Sequence, residues 1–256
     1  MKQSTIQGPQ GHIAALHNDK ADSLPLLFVH ADPGSAAQWV PVMTRLANSH
    51  TVAAFDFRGA GSSAPAANDD YSYEGRAADV DAVVNALSLT KFVIVSHSAG
   101  SAVALAYAAK HGNKVKGIYM VDPVTDPRVR PQKARDEVVS SMEGSQSLEF
   151  FTGFVASIAG TNETTRNQVL ADAAKIAPAA RAGFARAFST WNPETALAAF
   201  KGPIFILSTP ATDIPAALYN IKAGIRHDVA SDKGHWLQLD HPDLVAGSIE
   251  EFLTSF

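Results

Sequence analysis

Phe92-Val93-Ile94-Val95-Ser96-His97-Ser98-Ala99-Gly100 runs four β-branched or aromatic residues straight into a short polar segment that ends on glycine. An Ala-rich helical pattern, Ser101 to Lys110, follows at once. The run predicts a buried strand, a sharp turn with the Ser98 hydroxyl at its apex, and a helix. Such a turn strains the backbone at Ser98, so the residues two before and two after it must be small. Gly100 meets that demand fully, and Ser96 meets it at a small cost in volume. A helix starting at Ser98 would also aim its free N–H groups and positive dipole end at negative charge developing beside the hydroxyl.

The chain around this stretch has 256 residues, enough for one domain with a large core or one domain carrying an insertion. At 46% hydrophobic and 18% charged, it has the composition of an ordinary globular protein. A net charge of −4 and a pI near 6.1 give no reason to expect nucleic acid or an anionic membrane as partner. No apolar run approaches the ~20 residues a membrane span needs, and the segment from Met1 to Gly8 does not resemble a signal peptide. The absence of cysteine excludes disulfides, thiol catalysis and cysteine metal sites. The cytoplasm is the expected compartment, a small molecule the expected partner, and a monomer or homodimer the expected assembly. No metal or cofactor is expected.

On both sides of 92–100, strands alternate with helices. His12 to His17 reads as an early strand between the turn signals Gly8-Pro9 and Asn18-Asp19. Pro25 to His30 is a mostly continuous apolar run, as expected of a parallel strand covered on both faces. After the loop Ala31-Asp32-Pro33-Gly34, a helix is predicted from Ser35, as N-cap, to Asn48. Thr51 to Phe55 is a strand that ends in Asp56-Phe57-Arg58-Gly59-Ala60-Gly61-Ser62-Ser63. Helix 76–88, strand 91–96, helix 98–112 and strand 115–121 continue the alternation. This order implies βαβ units and an α/β fold with a mostly parallel sheet between helices.

From about Thr125 to Thr195 the pattern turns mainly helical, through Gln132–Met142, Leu148–Ala159, Arg166–Ile176 and Ala179–Phe188. Such a segment either completes the fold or lies over Ser98 as a cap. The cap is favoured, because the segment leaves the sheet directly after the strand that follows the Ser98 helix. Asn192-Pro193 and Gly202-Pro203 bracket the return to strands at Pro203–Leu207 and Asp228–Ala230, and Pro242–Leu253 is the last helix. The expected division is a core of 1–124 and 196–256 with a cap of 125–195.

A serine hydroxyl needs a base to take its proton at neutral pH. His235, in Ser231-Asp232-Lys233-Gly234-His235-Trp236, stands in the loop after the last strand. In a parallel sheet that loop shares an edge with the Ser98 turn, where such folds place their ligands. Among nine histidines, His235 alone combines that loop with a preceding glycine. His97 and His30 are read as structural, His97 facing inward and His30 pinning the loop after its strand.

Four motifs now stand in order: His30-Ala31-Asp32-Pro33-Gly34, Asp56-x-Arg58-Gly59-x-Gly61-x-Ser63, the Ser98 turn, and Gly234-His235 followed by Asp240-x-Pro242. Over nearly its whole length the chain resembles an α/β-hydrolase of the helical-cap type, whose sheet has eight strands. That resemblance implies a Ser98 nucleophile on a nucleophile elbow, a His235 base, and an oxyanion hole made by the backbone N–H groups of Ala99 and Asp32. An acidic Asp32 is unexpected there, because its charge would oppose a developing oxyanion unless it faces a polar partner or solvent. Asp240 is expected to tether its loop to the last helix.

The third catalytic member is open between two carboxylates. Most relatives carry Gly-x-x-Asp after the seventh strand, and three residues past Ser208 the chain has Ala211. Asp213 would serve if the loop is longer. Asp122, at the end of Gly117-Ile118-Tyr119-Met120-Val121-Asp122-Pro123, matches branches that carry the acid after strand six. Those branches include certain haloalkane dehalogenases and cofactor-free ring-cleaving dioxygenases, and they lack the acid after strand seven. The vacancy at Ala211 therefore favours Asp122.

Trp236 and Trp39 are expected to bind substrate. Phe150 and Phe154 are read equally as core or as substrate contacts, and Phe151 and Trp191 also stand near the expected pocket. With no Arg or Lys cluster, a small to medium apolar substrate is expected. The primary expectation is a serine hydrolase of carboxylic esters. The alternatives are a cofactor-independent dioxygenase cleaving an N-heteroaromatic ring, a C–C bond hydrolase, and a receptor-like binding module. Haloalkane dehalogenase and epoxide hydrolase chemistry is disfavoured, since both need Asp where this chain has Ser98.

Overall fold

In the computed structural model, which describes residues 1–18, 20 and 23–256, the wholly apolar runs occupy the middle of one sheet. Among the described residues it has eight strands: β1 (Lys2–Gln7), β2 (His12–His17), β3 (Leu26–Val29), β4 (Val52–Phe55), β5 (Phe92–His97), β6 (Val115–Val121), β7 (Ile204–Ser208) and β8 (Arg226–Val229). Their order is β1-β2-β4-β3-β5-β6-β7-β8. β2 runs antiparallel to β1 and β4, and every other neighbouring pair is parallel. β3, β4, β5 and β7 are buried at every position, as parallel strands covered by helices must be.

Alternation along β5 builds the two faces. Ile94 points toward α2 (Tyr73–Ala86) and α3 (Gly100–His111), whose Val80, Val83, Val103 and Leu105 share its core. Val93 and Val95 point the other way, into a core with Met43 and Leu46 of α1 (Val40–Leu46) and Val245 and Ile249 of α11 (Pro242–Leu253). Each such side chain contributes about 1.5–3 kcal/mol on burial, so the sheet sandwich is the main source of stability.

Several elements depart from expectation. β1 escapes a pattern reading because only Ile6 of its six residues is buried; pairing to β2 makes it a strand. The helix expected over 35–48 is a 3-10 turn (Ala36–Trp39) followed by α1, with Pro41 in the first turn of α1. Ser35 caps nothing with its side chain, and Asp56 Oδ1 accepts the Ala36 N–H at 2.7 Å instead. α2 begins earlier than expected, because the Ser72 hydroxyl accepts the Gly75 N–H as N-cap. β8 is displaced to Arg226–Val229, and of the expected Asn18-Asp19 turn, Asp19 lies outside the described residues.

Between β6 and β7 come α4 (Gln132–Glu143), α5 (Ser147–Ile158), α6 (Glu163–Lys175), α7 (Pro178–Thr190) and α8 (Pro193–Ala199), while the short α9 (Leu218–Ile221) and α10 (Leu237–Asp240) precede and follow β8. Pro193, expected to lead back to the sheet, opens α8 instead, since proline fits a first helical turn. A third apolar cluster unites Phe151, Val155, Val169 and Phe184 of this segment with Ala60, Tyr71 and Trp236. The helices thus rest on the loops that follow β4 and β8, at the strand edge that carries Ser98.

Candidate active site

Ser98 has φ +50°, a left-handed conformation that costs a non-glycine residue about 1–3 kcal/mol. The surroundings hold it there. Its N–H donates to Val121 O at 3.1 Å, and its carbonyl accepts the Ser101 N–H at 2.9 Å. A Cβ at Gly100 would stand 2.4 Å from His30 O, so the close approach to the end of β3 demands glycine. Ser96 is accommodated because its hydroxyl, fully buried, finds Ser101 Oγ at 3.0 Å and Tyr119 O at 3.3 Å. α3 starts at Gly100 rather than at Ser98.

His235 Nδ1 meets Asp122 Oδ2 at 2.5 Å. Asp122 is 1% exposed, and its Oδ1 accepts the Thr209 N–H at 2.8 Å and the Thr212 hydroxyl. Burial alone would raise its pKa. The His235 charge and the hydrogen bonds from His235, Thr212 and Thr209 outweigh burial and hold the carboxyl below its ordinary range. The loop after β7, which lacks an acid at Ala211, therefore supplies donors to the acid from β6. Asp213 is exposed and accepts the Tyr219 hydroxyl at 2.5 Å; it makes no hydrogen bond or ion pair with His235.

The imidazole of His97, next to Ser98, has its ring centre 4.6 Å from that of His235. The Ser98 hydroxyl makes no hydrogen bond to His235 in this conformation, a common looseness before substrate closes a site.

Among the described residues, neither the Ala99 nor the Asp32 backbone N–H is taken up by another group of the chain. The Asp32 carboxylate turns to Arg76, whose Nη1 lies 2.7 and 2.8 Å from its two oxygens. Arg76 is fully buried, its guanidinium 5.2 Å from the Phe57 and Tyr73 ring centres and 4.9 Å from that of Phe184. The sequence reading missed this residue. The available signal was an arginine at position 76, on the helix face that Tyr73, Ala77 and Val80 bury. His30 ties the next loop down: its Nε2 accepts the Phe57 N–H at 2.9 Å and its Nδ1 donates to Ala31 O at 2.7 Å.

Trp39 is 0% exposed and packs on Phe28 at 5.2 Å, so it belongs to the core rather than to a substrate wall. Trp236, 1% exposed, sets its ring edge against His235 at 5.0 Å and 88°, and its indole N–H donates to Gln38 Oε1. At that burial it braces the imidazole rather than forming the expected substrate wall. Phe150 and Phe154 are exposed, neither core nor buried in a pocket, while Phe151 is core. Trp191 packs on Tyr73 in the α2–α3 core. Asp240 tethers its loop to the helical segment, accepting the Thr165 hydroxyl of α6 at 2.6 Å, and not to the last helix. Gln38 and Gln238, both wholly buried, were not anticipated.

Among the described residues no group of three or more His, Cys, Asp or Glu is placed to hold a metal ion, and no helix is long and apolar enough to cross a membrane. A family model described as alpha/beta hydrolase fold matches residues 25–242. A RutD protein of Caulobacter segnis, provisionally named a carbamate hydrolase, is 36% identical over 104 residues, 40% of this chain and 39% of its own. A haloalkane dehalogenase of Sphingobium indicum is 32% identical over 113 residues, 43% of this chain and 38% of its own. The chain thus spans about two fifths of the length of these curated relatives. The solved enol-lactonase of Burkholderia xenovorans LB400 superposes with a TM-score of 0.85 at 15% identity, covering 98% of this chain and 100% of that one. At such identity the likeness speaks for the fold alone.

Proposed function

This chain belongs to the alpha/beta hydrolase fold family, and we propose that within it the protein is a serine hydrolase of small to medium apolar carboxylic esters, capped by residues 125–195. The observation that carries the reading is the 2.5 Å contact of His235 with the buried Asp122 carboxylate, near a serine held at positive φ. Asp122 fixes the Nδ1–H tautomer of His235 and leaves Nε2 free to take the Ser98 proton. As the Oγ–carbon bond forms, the carbonyl oxygen becomes an oxyanion that accepts hydrogen bonds from the Ala99 and Asp32 N–H groups. The tetrahedral species expels the alcohol, which leaves with the proton from His235. Water, deprotonated by His235, then releases the acid and restores Ser98. Asp122 stays ionised throughout and balances the imidazolium.

The test is turnover of a p-nitrophenyl ester together with fluorophosphonate labelling read by mass. Ser98→Ala should abolish both, and Asp122→Asn should lower kcat by about 10³–10⁴, as loss of the orienting acid does in other triads. Asp213→Asn should stay within about twofold. Full turnover by Ser98→Ala, or equal losses for the two aspartates, would refute the reading.

A second reading rests on the acid following β6, the position from which Asp122 meets His235. In a cofactor-independent dioxygenase the His235–Asp122 pair removes the proton of a hydroxylated N-heteroaromatic ring, and dioxygen adds to the resulting carbanion. Oxygen uptake and carbon monoxide release with a hydroxyquinolone, retained in Ser98→Ala, would establish it. C–C bond hydrolysis would use the same three residues, and a diketone substrate distinguishes it from ester cleavage. Ligand binding without turnover of an ester panel would instead mark a binding module.

A further inference from the structure

The main chain of His235 is gripped from two sides. Its N–H donates to Ile158 O at the end of α5, at 3.0 Å. Its carbonyl lies 2.9 Å from His97 Nε2. His97 Nδ1 in turn lies 3.0 Å from Gln238 Nε2. One protonation state satisfies both contacts of the ring. Nε2 carries the hydrogen and donates to the His235 carbonyl, and Nδ1 accepts from the Gln238 amide.

The surroundings keep His97 neutral. The ring is wholly buried, edge-on to Trp39 at 6.5 Å and to Trp236 at 5.8 Å. Burial lowers its pKa well below the usual value, His235 and His30 lower it further, and Asp122 opposes them without prevailing. These three are the titratable groups that act on it, and Gln238 is the neutral polar partner on α10 (Leu237–Asp240). Neutrality matters because His235 becomes a cation during turnover with its ring centre only 4.6 Å away.

We propose that His97 is a positioning residue that fixes the base through its main chain, in a tautomer selected by Gln238. The proposal rests on the reading of His235 as base. Asp122 orients the imidazole ring, and His97 holds the peptide from which that ring projects. Because His97 directly precedes Ser98, one residue ties the turn of the nucleophile to the loop of the base.

The experiment compares wild type, His97→Phe, His97→Gln and Gln238→Leu in two measurements. One is ester kinetics. The other is the downfield proton signal of the short His235–Asp122 hydrogen bond, which needs no turnover. His97→Phe should lower kcat about 10- to 100-fold, change KM less than about threefold, and broaden or remove the downfield signal. His97→Gln carries an amide N–H that can reach the same carbonyl, so it should keep the signal and most of kcat. Gln238→Leu leaves His97 in place and should fall between them; it stands in for His97→Phe if that variant does not fold. A wild-type kcat and signal in His97→Phe, or losses in His97→Gln as large as in His97→Phe, overturn the proposal. A wild type inert to esters and fluorophosphonate overturns the serine-hydrolase reading, while the signal still decides for or against His97.

Discussion

Ser98 and Asp122 both have positive φ and stand just past the ends of the neighbouring strands β5 and β6. The two sharp bends bring a hydroxyl and a carboxylate to one sheet edge, where the His235 loop meets them. Asp32 adds a local problem, an acid whose backbone N–H is proposed to hold an oxyanion. Arg76 answers it with a buried countercharge. Removing one partner of a buried pair leaves the other uncompensated, at a cost of about 3–5 kcal/mol. Arg76→Met should therefore lower urea stability by that order and reduce kcat more than it raises KM. Adding Asp32→Asn should recover at least about tenfold in kcat, because an amide needs no counterion and opposes no oxyanion. A double variant no better than Arg76→Met would show that the Asp32 charge is irrelevant to the chemistry.

At the level of elements, the helical segment and the His235 loop are latched together. Besides the Ile158–His235 hydrogen bond, Thr165 holds Asp240, and Gln38 on the 3-10 turn donates to Asp172 of α6 at 2.8 Å. The turn between α5 and α6 passes so close to the base that Gly160, at φ +75°, would carry a Cβ 2.8 Å from the Gly234 Cα. Gly160→Val meets a forbidden conformation and a backbone collision together. It should cost about 1–3 kcal/mol of stability and lower kcat, because the collision displaces the residue before His235. Ser157→Ala, on the exposed side of α5, should change neither. Urea midpoints and ester kinetics on the two variants check this, and a Gly160→Val enzyme with normal kcat would break the link between the segment and the base.

For the whole molecule, buried neutral histidines set the acid limit. Burial lowers the pKa of both His30 and His97 from the ordinary 6.5. Below about pH 6.5 the unfolded chain takes up protons that the folded chain refuses, so stability falls as pH drops. The slope is at most about 1.4 kcal/mol per pH unit for each histidine. Asp122 acts lower down: held below 3.8, it contributes stability that is lost only as pH falls through its folded pKa. The urea midpoint should thus decline between pH 7 and pH 5, and His97→Gln should decline less steeply. A flat midpoint over that range would contradict the buried-neutral assignment.

Local order along the chain determined a good deal. Short apolar runs between turn residues, enriched in β-branched or aromatic side chains at 92–95, read as strands covered on both faces. Hydrophobic spacing locates the helices to within a turn, and the Pro242–Leu253 pattern coincides with α11. The small residues around Ser98 announced the turn, since a close approach excludes bulk whatever surrounds it. The vacancy at Ala211 already favoured Asp122 over Asp213, but only tertiary structure showed that Asp122 meets His235, that the loop after β7 returns donors to it, and that Arg76 neutralises Asp32. Those outcomes depend on the direction in which a buried polar group finds its partner across 44 to 113 residues of chain. Hydrogen bonds and ion pairs are directional and short-ranged, so their pairing exists only once the packing has brought the loops together.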